Sequence, residues 1–228
     1  GGMGVVRNWL DQRVRRNVAV KMLKGGGAYS GDNLMRFIAE GQLTGELEHP
    51  NIVPVYDLGL DGDGQAFYAM KFVDGVTLHG VLDGLRAGDE RMRSRFTLSE
   101  LLTIYQKVCD AVAYAHSRGV IHRDLKPGNV MIGEFGEVML MDWGLAKRTA
   151  EPVPEGKSQT LTGEEIAEAV GAGVRAPRAG GGEMKSFETL DGYVVGTPPN
   201  LSPEQASGAV ERIGVWSDIY VLGIILFE

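Results

Sequence analysis

The order of the patterns predicts an α+β fold: strand-like runs with a single helix fill the first third of the chain, and helical periodicity dominates after Asp74-Gly75. Short strands in that second part frame two polar loops. A chain of 228 residues is long enough to bury a core in one domain or two lobes, and 43% hydrophobic with 23% charged residues is the balance of an ordinary globular protein.

Val5-Val6 and Asn17 to Leu23 read as strands, because branched apolar residues are bounded there by charged or turn-prone stretches. From Asp32, placed to cap, Leu34, Phe37 and Ile38 and then Leu43 and Leu47 recur at helical spacing, giving an amphipathic helix that carries Glu40. Ile52 to Leu58 and Ala66 to Phe72 form a hairpin across Asp61-Gly62-Asp63-Gly64, whose residues tolerate positive φ. The polar stretch from Arg86 to Arg95 reads as a solvated insertion. Thr97 and Glu100 have the spacing of a capping box, and Leu101, Ile104, Tyr105, Val108, Ala111, Val112 and Ala115 continue one apolar face toward Gly119. Cys109, the only cysteine, lies in that helix and is expected to be a buried packing residue. Val120-Ile121, Val130 to Ile132 and Val138 to Met141 are short strands between loops. Thr149 to Ser186, with its prolines and Gly180-Gly181-Gly182, breaks the regular pattern and is expected to be mobile apart from a transient helix over Glu164 to Val170.

The chemistry concentrates in His122-Arg123-Asp124-Leu125-Lys126-Pro127-Gly128-Asn129 and, thirteen residues after Asn129, in Asp142-Trp143-Gly144. A possible base, a cation and two metal-seeking groups at fixed spacing read as a phosphoryl-transfer site. The plain alternative is a polar turn after a short strand, but chance rarely supplies so many unlike groups together.

These two loops resemble the catalytic and metal loops of the protein kinase family. The resemblance implies that Asp124 meets the substrate hydroxyl, that Lys126 offsets charge on the γ-phosphate, and that Asn129 and Asp142 hold magnesium, while His122 packs and supports the loop. Val18-Ala19-Val20-Lys21 is similar to the strand whose lysine contacts the α- and β-phosphates and pairs with a helix glutamate, here Glu40. Gly1-Gly2-Met3-Gly4-Val5-Val6 resembles the tail of a glycine-rich phosphate loop, so that Gly1, Gly2 and Gly4 would approach phosphates. Val6, Ala19 and Met131 would sandwich the adenine ring, with Met70 behind it and Phe72 and Val73 in the connection between lobes. Ordinary core packing is the competing account of these apolar positions. Gly196-Thr197-Pro198 and Ser202-Pro203-Glu204 resemble the end of an activation segment, with Ser202 and Pro199-Asn200 departing from its common residues. Asp218 resembles the helix carboxylate that braces the backbone at His122 and Arg123; its plainer reading is an N-terminal helix cap, a role compatible with bracing.

The family would supply a two-lobed kinase-like fold, with a β-rich small lobe and hinge over 1–73, a mainly helical lobe over 74–228, and an activation-segment insertion over about 149–186. The implied activity is ATP-dependent serine/threonine protein kinase, with ATP between the lobes, Mg2+ or Mn2+ as the metal, and a protein Ser/Thr acceptor. Arg123 would hold a phosphate placed on Thr149, Ser158, Thr160, Thr162, Ser186 or Thr189, with a second copy as a trans-autophosphorylation partner. The rivals are a pseudokinase or nucleotide-binding interaction module and a small-molecule phosphotransferase.

A formal charge of −7 argues against a general nucleic-acid binder. No membrane segment is read in the chain: Ile219 to Phe227, the longest late apolar run, is too short to span a bilayer, and a cytoplasmic location is expected, with any anchor lying elsewhere. Both ends look cut, so a fold incomplete at both termini is expected, lacking a first strand and later helices. A cationic partner for Glu204 would be lost with those helices, and weak folding in isolation follows.

Overall fold

Alternating apolar side chains on extended backbone set the first sheet. The computed structural model describes residues 4–24, 31–148 and 200–228. Among these, residues 4–24, 31–45 and 55–72 form one compact unit and residues 46–54, 73–148 and 200–228 a second.

The first unit is a four-stranded antiparallel sheet with one helix. Its strands are β1 (Gly4–Asp11), β2 (Arg16–Leu23), β3 (Val55–Leu60) and β4 (Ala66–Lys71), in the order β1-β2-β4-β3. Val18, Val20 and Met22 of β2 pack with Phe67 and Ala69 on one face. The opposite face presents Ala19 and Lys21, as a period of two requires. Helix α1 (Gly31–Glu46) buries Phe37 and Ile38, and the Phe37 ring lies 5.2 Å from that of Tyr68. The helix starts at Gly31, which puts Asp32 inside the first turn instead of at the cap. The β3–β4 hairpin forms at the expected turn: Gly64 has φ +76°, and the Asp61 carboxylate accepts the N–H groups of Asp63 and Gln65.

Three differences from the sequence reading arise here. β1 runs well past Val6 to Asp11, and almost all of it is exposed, so no apolar alternation marked its length. The strand expected from Ile52 begins only at Val55. Pro54 has no N–H to give a ladder, and Ile52 instead bridges to Leu140. Leu140 N–H donates to Asn51 and Val53 N–H to Leu140, at 2.8 and 3.1 Å, so residues 46–54 belong with the second unit. Val73 falls there as well, and the compact units therefore differ from a single division after residue 73.

The second unit is mainly helical. Strand β5 (Gly75–Thr77) pairs with β7 (Val130–Gly133), which pairs with β8 (Val138–Leu140); β6 (Val120–Ile121) pairs with β9 (Lys147–Arg148). Strand β5 was not expected. A Cβ on Gly75 would lie 2.0 Å from the Ile132 carbonyl oxygen, so the close approach of β5 to β7 requires glycine there. Helix α2 (Leu78–Arg86) is capped by Thr77, and the polar stretch expected to be a solvated insertion contains a further short helix, α3 (Glu90–Arg95), capped by Asp89. Helix α4 (Leu98–Ser117) opens on the Thr97–Glu100 capping box and buries Ile104, Val108, Ala111, Val112 and Ala115. Cys109 is half-buried, not fully buried. Burial raises its thiol pKa, the hydrogen bond with Tyr105 opposes the rise and Asp110 adds to it.

Helices α5 (Pro203–Ala206) and α6 (Val215–Phe227) follow. Among the described residues no helix is long and apolar enough to cross a membrane.

Candidate active site

In the first unit, register places Lys21 opposite Tyr68 and Ala19 opposite Met70. Lys21 Nζ meets Glu40 Oε1 at 2.5 Å, and the Tyr68 hydroxyl donates to the same oxygen at 2.7 Å. The glutamate side chain is 1% exposed and the lysine 12%, so the pair is screened poorly by water. A charge buried this far is tolerable only with partners. Nineteen residues apart in sequence, the two side chains are joined because α1 packs on the sheet face that carries Lys21. Gly4 sits against this site: a Cβ there would lie 2.8 Å from the Met22 carbonyl oxygen and 3.0 Å from Lys21 Cγ. Ala19 and Met70 are buried, and Val6 is exposed. Phe72 is half-buried.

In the second unit the polar loop 122–129 runs from β6 to β7 and is held largely through its backbone. The Asp218 carboxylate, 1% exposed on α6, accepts the N–H of His122 at 2.8 Å and that of Arg123 at 2.9 Å, and His116 Nε2 of α4 lies 2.8 Å from the same group. This is the bracing expected of Asp218. Asp218 lies in the first turn of α6, and Gly214 holds the cap position. Arg123 adopts φ +69°, a left-handed conformation unusual for a side chain with a Cβ.

His122 is buried against the Trp143 ring, with centroids 4.5 Å apart. Its Nδ1 accepts the Asp124 N–H at 3.3 Å while Nε2 lies 3.1 Å from the Met141 carbonyl, a pattern that fits the neutral ring with its proton on Nε2. Burial pushes its pKa below the ordinary value, against the opposing pull of Asp218, the Met141 carbonyl, Asp124 and Asp142. For Arg123 burial likewise lowers the pKa, and Asp218 pulls it back.

Asp124 is gathered with two expected neighbours. Lys126 Nζ lies 2.6 Å from Asp124 Oδ2, and Asn129 Nδ2 donates to the Asp124 carbonyl at 2.8 Å and to Oδ2 at 3.3 Å. The Asn129 carbonyl in turn accepts the Met141 N–H at 2.9 Å, tying the first loop to the residue before Asp142. Asp142 is exposed and has φ +61°. The geometry thus places one amide and one exposed carboxylate on joined loops. Oxygen donors of this kind suit Mg2+, which keeps waters and takes few protein ligands beside phosphate oxygens. Among the described residues no group of three or more His, Cys, Asp or Glu forms a ready-made metal cage. Met131 is half-buried in β7, beside Asn129 and Val130, and Val73 is buried ahead of β5.

Gly1, Gly2, Gly196, Thr197, the 149–186 segment with its helix over Glu164 to Val170, and all six candidate phosphoacceptors lie outside the described residues. Glu204, for which a later cation was expected, accepts a hydrogen bond from the Ser217 hydroxyl. Burial raises its pKa, but the bonds from Ser217, its own backbone and Ser202 outweigh this and lower it.

Two residues of the loop's support were missed: His116, and Gln205, whose Nε2 donates to the Arg123 carbonyl at 2.7 Å. The spacing Ser202-x-x-Gln205 signals a capping box, yet nothing local signals a bond across 82 residues.

The model of the family described as "Protein kinase domain" matches residues 1–167. The chain is similar to the serine/threonine-protein kinase PknD of Protochlamydia amoebophila (strain UWE25), 34% identical over 232 residues, covering 100% of this chain and 22% of that protein. The protein of the same name from Chlamydia felis (strain Fe/C-56) is 34% identical over 233 residues, and that from Chlamydia trachomatis serovar L2b (strain UCH-1/proctitis) 35% over 235, each covering 100% of this chain and 23% of the relative. The chain therefore spans less than a quarter of the length of these curated relatives.

Proposed function

We propose, on the premise that this chain belongs to the protein kinase domain family, that it transfers the γ-phosphoryl group of ATP to a serine or threonine hydroxyl of a protein. The observation that carries the reading is the joining of Asp124, Lys126 and Asn129 in one hydrogen-bonded group whose backbone is tied to the residue before Asp142.

Asp124 orients the acceptor hydroxyl and takes its proton as the oxygen–phosphorus bond forms and the bond from Pγ to the bridging oxygen breaks, releasing ADP. Lys126 offsets the charge spread over the transferring group, and Lys21, set by Glu40, contacts the α- and β-phosphates. Asn129, through Oδ1, and Asp142 would hold Mg2+. When bound, the metal supplies charge neutralisation on the phosphates and fixes their geometry. Ala19, Val6 and Met131 would contact the adenine, with Met70 behind them and Phe72 and Val73 offering backbone groups to its edge. Gly1, Gly2 and Gly4 would approach the phosphates. Dependence on ATP favours a cytoplasmic site of action, and a second copy of the chain is a proposed acceptor in trans.

The test is radiolabel transfer from Mg-ATP to a mixed protein pool by the complete protein, beside Asp124→Ala. Transfer should fall by about 1,000-fold or more in the variant, since both the orienting group and the proton acceptor are lost. Labelling unchanged by the substitution would overturn the mechanism, and nucleotide binding without any transfer by the native protein would favour an interaction module.

A further inference from the structure

We infer that Gln205 is a positioning residue for the phosphoryl transfer proposed above, fixing the peptide plane that precedes Asp124; the inference rests on that reading. The two ends of the Gln205 amide do different things. Oε1 accepts the Ser202 N–H at 3.1 Å and closes the capping box of α5, whereas Nε2 donates to the Arg123 carbonyl at 2.7 Å. Gln205 is 3% exposed, so water does not replace either bond.

That carbonyl shares a peptide plane with the Asp124 N–H, which donates to His122 Nδ1. The plane is therefore pinned on one edge by Gln205 and on the other by His122. The pinning falls where the chain is strained. Arg123, at φ +69°, occupies a left-handed conformation that is strained for a residue with a Cβ. Asp218 fixes the N–H of Arg123 and Gln205 fixes its C=O, so both polar groups of the strained residue are held by side chains from later helices. Rotation of the plane would swing the Asp124 carboxylate away from Lys126 and Asn129. Capping alone does not explain the choice of residue, because glutamate caps this position equally well. Only the amide can also donate.

Gln205→Glu isolates the second role. A carboxylate keeps an oxygen for the Ser202 N–H but turns the other oxygen against the Arg123 carbonyl oxygen. In the complete protein, kcat should fall roughly 10- to 100-fold with KM for ATP within about twofold of the native value, the pattern of a lost orientation and not of lost binding. Amide hydrogen exchange should quicken in the peptide spanning residues 120–129 and stay unchanged in α4. Gln205→Met, neutral and similar in length, should show the same exchange signature should the glutamate variant fold poorly. Native exchange over 120–129 in both variants would overturn the inference. Absence of transfer by the native protein would count against the proposed function alone, because the exchange comparison still decides whether Gln205 holds the plane.

Discussion

In the first unit the position of Lys21 depends on contacts between side chains, among them the ion pair to Glu40, itself steadied by Tyr68. In the second unit Asp124 is fixed chiefly through its backbone, with Asp218 holding the two residues before it, Gln205 and His122 holding its peptide plane, and Asn129 holding its carbonyl. A side-chain contact can be made and broken by rotating χ angles or shifting one helix. A loop gripped by its amides cannot move without exposing several buried hydrogen-bonding groups at once. The Asp124 carboxylate thus has a position set by folding, and Lys21 has one set by a local equilibrium.

Removing the central brace should have the largest effect. Asp218→Ala leaves the N–H groups of His122 and Arg123 and the ring of His116 without their acceptor. Each buried donor left unsatisfied costs about 1–3 kcal/mol. We expect a loss of about 3–5 kcal/mol in denaturant unfolding of the complete protein, together with loss of transfer. Asp218→Asn, which retains one acceptor oxygen, should fall between native and alanine. A stability change under about 0.5 kcal/mol for Asp218→Ala would end the contrast between the two units.

The same contrast explains what the sequence disclosed. The grouping of Asp124, Lys126 and Asn129 was legible because they stand in one short pattern of unlike chemical groups, and the contact of Lys21 with Glu40 was expected only from the family resemblance. The Thr97–Glu100 box and the Asp61–Gly64 turn were legible because local hydrogen bonds within four residues build them. Gln205 and His116 were not, since their partners lie 82 and 102 residues away and depend on how helices pack. Strand β5 and the length of β1 were missed for another reason. One is three residues long and the other is almost wholly exposed, so neither buries an alternating apolar face. The placement of residues 46–54 turned on Pro54 and on a bridge to β8, a long-range pairing that periodicity does not encode.

A smaller effect is expected in the first unit. Lys21→Met removes the partner of a carboxylate that is 1% exposed. Loss of one member of a buried pair costs about 3–5 kcal/mol, but here Tyr68 still donates to Glu40, so about 2 kcal/mol is expected. The double variant Lys21→Met/Glu40→Leu should recover most of that loss in thermal unfolding, because no charge is then left buried. Equal destabilisation of the single and double variants would mean that packing, and not the charge pair, dominates this site.

The smallest effect is a pH slope from His122. Its folded-state pKa is depressed below the ordinary 6.5, with burial as the leading cause and the carboxylates of Asp218, Asp124 and Asp142 in opposition. The unfolded chain takes up the proton first as pH falls, so the stabilising contribution is complete above the unfolded value and is lost progressively toward and below the folded one. Across that window the native protein should lose up to about 1.4 kcal/mol per pH unit more than His122→Phe. The substitution also deletes the bonds to the Asp124 N–H and the Met141 carbonyl, but those losses shift stability by the same amount at every pH. The difference in slope isolates the proton. Parallel curves for the two proteins as pH falls below about 6.5 would show that the folded ring takes up its proton as readily as the unfolded one, and the loop would then be held by a charged group where a neutral one is expected.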